Sequence, residues 1–302
     1  MRIISIIVAI GTCVLSSWAR AQDGCGVPSA ITDQWVVAEP ESVGLASATL
    51  CPMLKWLNAA KESNVHAVLV VRHGTLVFEH YFSGSDEAWG RPIGKIAFGP
   101  EVRHDERSAT KSVIALLLGI AIDRGLIKGI DEPVLSFFPE YADLRAPEKD
   151  RITLRHLVTM SAGLEWHEID VPYTSADNSE IRMELSGDPY RFTLGQPVVA
   201  PAGDVWNYNS GGTEVVAAVL KKVTGKPVDD FARDLLFQPS ASRTWNGPEM
   251  RTAMSSPRAP CACALEISLR SASSSCSVVT GKVRRSSRPS GSSPRRCRRL
   301  TA

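Results

Sequence analysis

An α+β fold is expected from three stretches of the 302-residue chain. Two β-rich runs, His66–Val71 and Thr75–Phe82, flank Arg72-His73-Gly74 and read as an antiparallel hairpin. Residues Ser112–Ile122 are apolar on every side of a helix, which places them in a core, and they are too few to span a bilayer. Residues Leu45–Ala60 set Leu50, Leu54 and Leu57 on one face of an amphipathic helix. At 44% apolar residues the chain can bury a sizeable core, in one large or two modest domains.

In chain order, residues 1–21 read as an export signal. Arg2 supplies the positive charge, Ile3–Leu15 the apolar segment and Ala19-Arg20-Ala21 the small-residue cleavage site. The mature chain is therefore expected outside the cytosol, periplasmic or secreted, with no stable membrane insertion after cleavage. In such a compartment Cys25 and Cys51 have two fates, a disulfide or a pair of buried thiols. His73 in the turn and His80 at an alternating strand position are expected to be structural.

The apolar helix ends at Asp123-Arg124-Gly125, a plausible glycine cap, and carries Ser108 and Lys111 at its start. Positions i and i+3 share a helix face, so the Lys111 ammonium can reach the Ser108 hydroxyl. A serine hydroxyl is a weak nucleophile until a base takes its proton, and this is the only Ser-x-x-Lys in the chain. The plainer reading of the same residues is an N-cap serine and a solvated lysine.

Further on, Thr153–Met160 reads as a short helix ending at Ser161-Ala162-Gly163. Glu165–Tyr190 reads as a long aperiodic excursion of the kind that covers a site. His167, Glu168 and Asp170 lie close together, but no second histidine follows at ligand spacing, so no metal is expected. Pro201-Ala202-Gly203-Asp204 reads as a turn, and Thr213–Val223 as a helix closed by Thr224-Gly225-Lys226.

Ser108-x-x-Lys111, Met160-Ser161-Ala162-Gly163-Leu164 and Tyr208-x-Ser210-Gly211-Gly212 occur in that order. Together they resemble the serine β-lactamase and penicillin-binding-protein superfamily over residues 35–240. The likeness is to its class C-like branch, which also holds family VIII carboxylesterases and 6-aminohexanoate-oligomer hydrolases. The resemblance implies an antiparallel sheet flanked by helices, with a helical region inserted between its N- and C-terminal strands. It implies Ser108 as the acylated nucleophile, Lys111 as its base and Tyr208 as the proton shuttle, with no cofactor. Ser210 stands where penicillin-hydrolysing members usually carry asparagine, which favours amide or ester substrates. Ser210, Trp166, Tyr173, Tyr190 and Trp206 are candidates for lining the substrate site, and the four aromatics read equally well as core.

Residues 241–302 break the pattern. They hold fourteen serines, eleven arginines, one lysine and two acids, a net +10 against −8 for residues 1–240. Such a segment cannot bury a core. One reading is a basic arm for an anionic partner. The favoured one is a shifted reading frame: moving Ala262–Cys276 by one base permits a peptide resembling the helix that follows the family's tyrosine motif. The expected organisation is then a signal at 1–21, an incomplete hydrolase domain at 22–240 lacking its returning strands, and a low-complexity tail at 241–302. The expected activity is amide or ester hydrolysis on a small molecule, with β-lactamase or D,D-peptidase action as the alternative. Poor stability and little turnover are expected of this chain. A non-catalytic binder with a basic tail is the remaining alternative, although nucleic acid is not the expected partner.

Overall fold

The computed structural model describes residues 26–31, 35–60, 63–88, 91–238 and 266–268. The export signal, Cys25 and most of the Ser/Arg-rich tail lie outside those residues. Strand β1 (Val36–Val37) leads through a 3-10 turn to helix α1 (Ser47–Ala59). Helix α1 falls within the expected span and turns Leu57 inward, with Leu50 and Leu54 half-buried on the same side. Cys51, on this helix, is disulfide-bonded.

The hairpin forms as expected from β2 (Ala67–Arg72) and β3 (Thr75–Tyr81), antiparallel with Arg72 opposite Thr75. Its two-residue turn needs positive φ at both positions, and His73 (52°) and Gly74 (76°) supply it. Strand β1 joins the other edge of β3 in parallel, so this sheet is mixed and its order is β1-β3-β2. A second hairpin, β4 (Ser83–Ala88) and β5 (Arg91–Ala97), follows at once. Strand β6 (Arg103–Asp105) then leads to a single 3-10 turn, Arg107–Ala109, and helix α2 (Thr110–Asp123).

Helix α2 ends as its sequence implies. Gly125 takes φ 71°, its N–H bonds to the Ile122 carbonyl and that of Leu126 to Ala121, a Schellman arrangement. The expectation that α2 is buried all round needs correction. Ile114, Leu117, Leu118 and Ala121 are buried, but Ser112, Ala115 and Gly119 are exposed. That side carries the smallest residues of the helix, so little apolar area drives it under cover.

Helix α3 (Leu154–Val158) starts at a reciprocal cap between Thr153 and the His156 side chain. The stretch from Glu165 to Tyr190 is less aperiodic than expected. It contains α4 (Ser179–Leu185), capped by Asn178, and the start of α5 (Pro189–Gly195), capped by Asp188. Among the described residues the most enclosed helix is α6 (Ser210–Thr224), every residue of which from Ser210 to Leu220 is buried. It begins three residues earlier than its apolar pattern suggests, because Asn209 caps it by accepting from the Gly212 N–H at 2.9 Å. Gly211 lets its first turn approach closely, since a Cβ there would lie 2.4 Å from Thr193 Oγ1 and 2.7 Å from Trp166. After Gly225, in the left-handed region, come α7 (Val228–Ala232) and a π-helical turn over Arg233–Phe237. Strand β7 (Glu266–Ser268) pairs antiparallel with β6.

One continuous apolar core runs from Ile114 to Phe237 and is built by α2, α3, α5, α6, α7 and the turns among them. Leu76, Val77 and Phe78 of β3 are buried outside it. Among the described residues no helix is long and apolar enough to cross a membrane.

Candidate active site

Ser108 sits in the 3-10 turn that joins β6 to α2, and Lys111 follows in the first turn of α2. Lys111 Nζ donates to Ser108 Oγ at 3.2 Å. Tyr208, one hundred residues on, brings its hydroxyl to 2.6 Å from the same oxygen. Lys111 Nζ also stands 5.2 Å from the centre of the Tyr208 ring, where the ring face favours a cation. Ser108 is exposed while Lys111 and Tyr208 are half-buried, so the group is open to an incoming molecule.

The residue before Ser108 is held in an unusual conformation. Arg107 has φ 44°, in the left-handed region that disfavours a side chain. Buried Asp105 compensates, accepting from the Arg107 N–H at 3.1 Å and pairing with Arg107 Nε at 3.1 Å. The guanidinium also pairs with Glu87. Beside it, burial pushes the Glu106 carboxyl up to about 7, with Asp105 adding to the shift and His104 opposing it.

Tyr208 is positioned from below. The stretch Met160–Leu164 grips the segment before Tyr208 through its backbone. Gly203 N–H donates to Ser161 O at 2.7 Å, Asn207 N–H to Met160 O at 2.8 Å and Val199 N–H to Gly163 O at 2.9 Å. Gly163 has to be glycine twice over. Its φ is 71°, and a Cβ would lie 2.0 Å from the Ala200 carbonyl oxygen. The Asn207 side chain adds a bond to the Trp166 carbonyl at 2.9 Å.

The five candidate lining residues part company. Trp206 is 61% exposed, and its ring centre lies 6.4 Å from that of Tyr208, at the mouth of the site. Ser210 is buried and donates to Glu168, its hydroxyl at 2.6 Å and its N–H at 2.9 Å. Trp166 is buried and donates its indole N–H to Glu168 at 2.7 Å. Tyr173 is half exposed but sends its hydroxyl to Glu168 at 3.0 Å, and burial of that hydroxyl beside the carboxylate raises its pKa. Tyr190 packs on the core beside Phe138, ring centres 6.4 Å apart.

Sequence reasoning therefore missed Glu168, a buried carboxylate that accepts four hydrogen bonds and ties the excursion to the start of α6. Its neighbours in sequence do not share its surroundings. His167 Nδ1 pairs with Asp170 at 2.8 Å on the surface, which raises the His167 pKa and lowers that of Asp170. The three residues that lie close together in sequence are thus divided between core and solvent.

Comparison with known proteins places the chain in a family. A family model described as Beta-lactamase matches residues 58–261, more than half of the chain and all of the Ser108–Lys111–Tyr208 group. The 6-aminohexanoate-dimer hydrolase of Paenarthrobacter ureafaciens is 27% identical over 219 residues, covering 69% of this chain and 51% of that relative. The chain spans between 38% and 51% of the length of three curated relatives that it matches. Among solved structures, FmtA from Staphylococcus aureus superposes with a TM-score of 0.55 at 16% identity, covering 84% of this chain and 69% of that one. The octameric penicillin-binding protein homologue from Pyrococcus abyssi gives 0.56 at 16%, covering 78% and 57%. At those identities the likeness is one of fold. The span and the nature of the family match settle the lineage: this chain belongs to the Beta-lactamase family.

Proposed function

We propose that the chain is a serine hydrolase that opens an amide or ester through an acyl-enzyme on Ser108. One observation carries the reading: Ser108 Oγ is held at once by Lys111 Nζ at 3.2 Å and by the Tyr208 hydroxyl at 2.6 Å. Lys111 can only donate when charged, so the Oγ–H is then aimed at the Tyr208 oxygen. Attack requires the Lys111–Tyr208 pair to have given up one proton beforehand; Oγ then bonds to the substrate carbonyl carbon as its O–H bond breaks and that proton fills the vacancy on the pair. Tyr208 returns that proton to the departing nitrogen or oxygen as the carbonyl–leaving-group bond breaks. Water then repeats the attack on the acyl group with the same proton path reversed. The Ser108 N–H, in the 3-10 turn that leads into α2, is assigned the role of donor to the oxyanion.

An amide or ester is favoured over a β-lactam. Where penicillin-hydrolysing members of the branch carry asparagine, Ser210 commits its hydroxyl and its N–H to Glu168. The matched relative, by its name a hydrolase of a 6-aminohexanoate dimer, supports the same choice.

The test is covalent labelling with a fluorophosphonate, followed by peptide mapping. One adduct on Ser108 is expected, lost in Ser108→Ala and slowed about 100-fold or more in Tyr208→Phe, the range of a lost general acid–base. An adduct elsewhere, or unchanged labelling in Ser108→Ala, overturns the assignment. Rates on a nitrophenyl ester, a linear aminohexanoate dimer and a chromogenic cephalosporin then rank the substrate classes.

The place of action is proposed to lie outside the cytosol. The signal-like residues 1–21 support this, and so does the disulfide at Cys51, since such bonds persist in oxidising compartments. Sequencing of the mature N-terminus checks it, with Gln22 the residue expected first.

A further inference from the structure

Away from Ser108, two imidazoles and a carboxylate converge where three strands meet. His66 enters β2, Asp86 lies in β4 and His104 in β6. One ligand atom from each lies within 4.8 Å of the others. His66 Nδ1 is 2.6 Å from His104 Nε2, and Asp86 Oδ1 is 3.9 Å from that same nitrogen. The far nitrogen of each ring faces a backbone carbonyl, His66 Nε2 at 3.0 Å from Ser85 O and His104 Nδ1 at 3.0 Å from Asp105 O.

A carbonyl oxygen only accepts, so both outer nitrogens carry the ring proton. The inner nitrogens of the two neutral rings then present lone pairs to each other, with a carboxylate beside them. Facing lone pairs at that distance repel unless a cation lies between them. A proton shared by the rings is one such cation and a metal ion is the other.

Three features favour the metal. A carbonyl behind each imidazole is the arrangement that orients ligating histidines. The Asp86 side chain is only 10% exposed, and its Oδ1, which accepts from the Glu87 N–H at 2.9 Å, faces the His104 ring. Two imidazole nitrogens and one oxygen are a donor set that suits zinc and its first-row neighbours. Gly84 leaves room for the ring, since a Cβ there would lie 2.6 Å from His66 Cδ2.

We propose that His66, Asp86 and His104 form a binding site for a divalent transition-metal ion, zinc being the best match, with water completing a tetrahedral shell. Zinc–nitrogen bonds of about 2.0–2.1 Å set the two nitrogens roughly 3.3 Å apart. The rings therefore part by a fraction of an ångström on loading, a small adjustment at a half-buried site. The ion joins the entry to β2 with β4 and β6. Asp105 extends the link, because its carbonyl holds His104 while its carboxylate holds Arg107, the residue before Ser108. The ion touches no reacting atom, and its role is to stiffen the strand that delivers the nucleophile.

The experiment is calorimetric titration of zinc into the full chain after chelator treatment, with cobalt as a spectroscopic substitute. One ion per chain is expected, with visible cobalt absorption of a low-coordinate site and a raised unfolding temperature on loading. His66→Ala and His104→Ala should each weaken binding by more than about 100-fold, beyond the loss from removing an outer-shell partner. Ser108→Ala should bind as the parent does. Where an alanine variant fails to fold, Asp86→Asn decides, since it keeps the side-chain shape and is expected to bind about tenfold more weakly. No binding by the parent chain makes a shared proton the cation and overturns the site. Equal affinity in the histidine variants, or in Asp86→Asn, overturns it as well.

Discussion

At the scale of single residues the arrangement turns on Glu168. Four donors share its two oxygens: the Trp166 indole, the Tyr173 hydroxyl, and the Ser210 hydroxyl and N–H. Removing the carboxylate leaves three buried donors without an acceptor, each a group whose desolvation is then uncompensated. Glu168→Ala is expected to lower stability by about 3 kcal/mol or more. It should also slow labelling of Ser108, because Ser210 opens α6 two residues after Tyr208. Urea unfolding and labelling rates check both, and a loss under about 1 kcal/mol would mean the network relaxes freely. The Ser108–Lys111 pair was legible because helix geometry alone brings i and i+3 together, and Tyr208 followed from its motif. Glu168 was not, since its bonds to Ser210 cross 42 residues and depend on the folded excursion. The same holds for His66, Asp86 and His104, separated by 20 and 18 positions with no local ligand spacing. Ser210, Trp166 and Tyr173 were found as a set, yet what unites them is the carboxylate rather than the opening.

At the scale of elements, what could be read depended on whether local chemistry decides the outcome. The β2–β3 turn and the Gly125 cap were legible because positive φ is a local requirement. The β4–β5 hairpin was not. Its strands carry Gly84, Gly94 and Pro92 and little alternation, and the described residues of β5 are mostly exposed. Two glycines illustrate opposite constraints on elements near the site. Gly163, at φ 71° with Ala200 O where a Cβ would go, holds the backbone bonds that seat the Tyr208 segment. Gly163→Ala is expected to lose more than about 2 kcal/mol, from left-handed strain and the clash together. Gly119 lies on the exposed side of α2 with nothing within 4 Å of a Cβ. Gly119→Ala should gain about 1 kcal/mol, the helix-propensity difference. Thermal unfolding of the two variants separates the cases, and a stabilised Gly163→Ala would refute the packing argument.

For the whole molecule, the decisive feature is the unequal burial of its two halves. Among the described residues the continuous core draws every buried member from Ile114 to Phe237, and the strands contribute none of it. Among the described residues β2 remains an edge, and Ser112, Ala115 and Gly119 leave one side of α2 uncovered. An edge strand without a partner and a helix side without a cover both lower local stability. Hydrogen exchange on the full chain should therefore be slowest in α2 and α6 and at least about tenfold faster across β2–β5, the factor set by about 1.4 kcal/mol of local opening. The site straddles this divide. Lys111 and Tyr208 belong to the helical half, whereas Ser108 is delivered by β6 from the looser one. Acylation needs only the three side chains in register, while turnover also needs the strand side to clamp the acyl group against water. Stoichiometric labelling of Ser108 with slow ester hydrolysis is the expected outcome. If zinc binds at His66, Asp86 and His104, exchange in β4 and β6 should slow while α2 and α6 stay unchanged, since the ligands lie entirely on the strand side. Uniform protection in both halves, with rapid turnover, would show that the strands form a cooperative unit with the helical core.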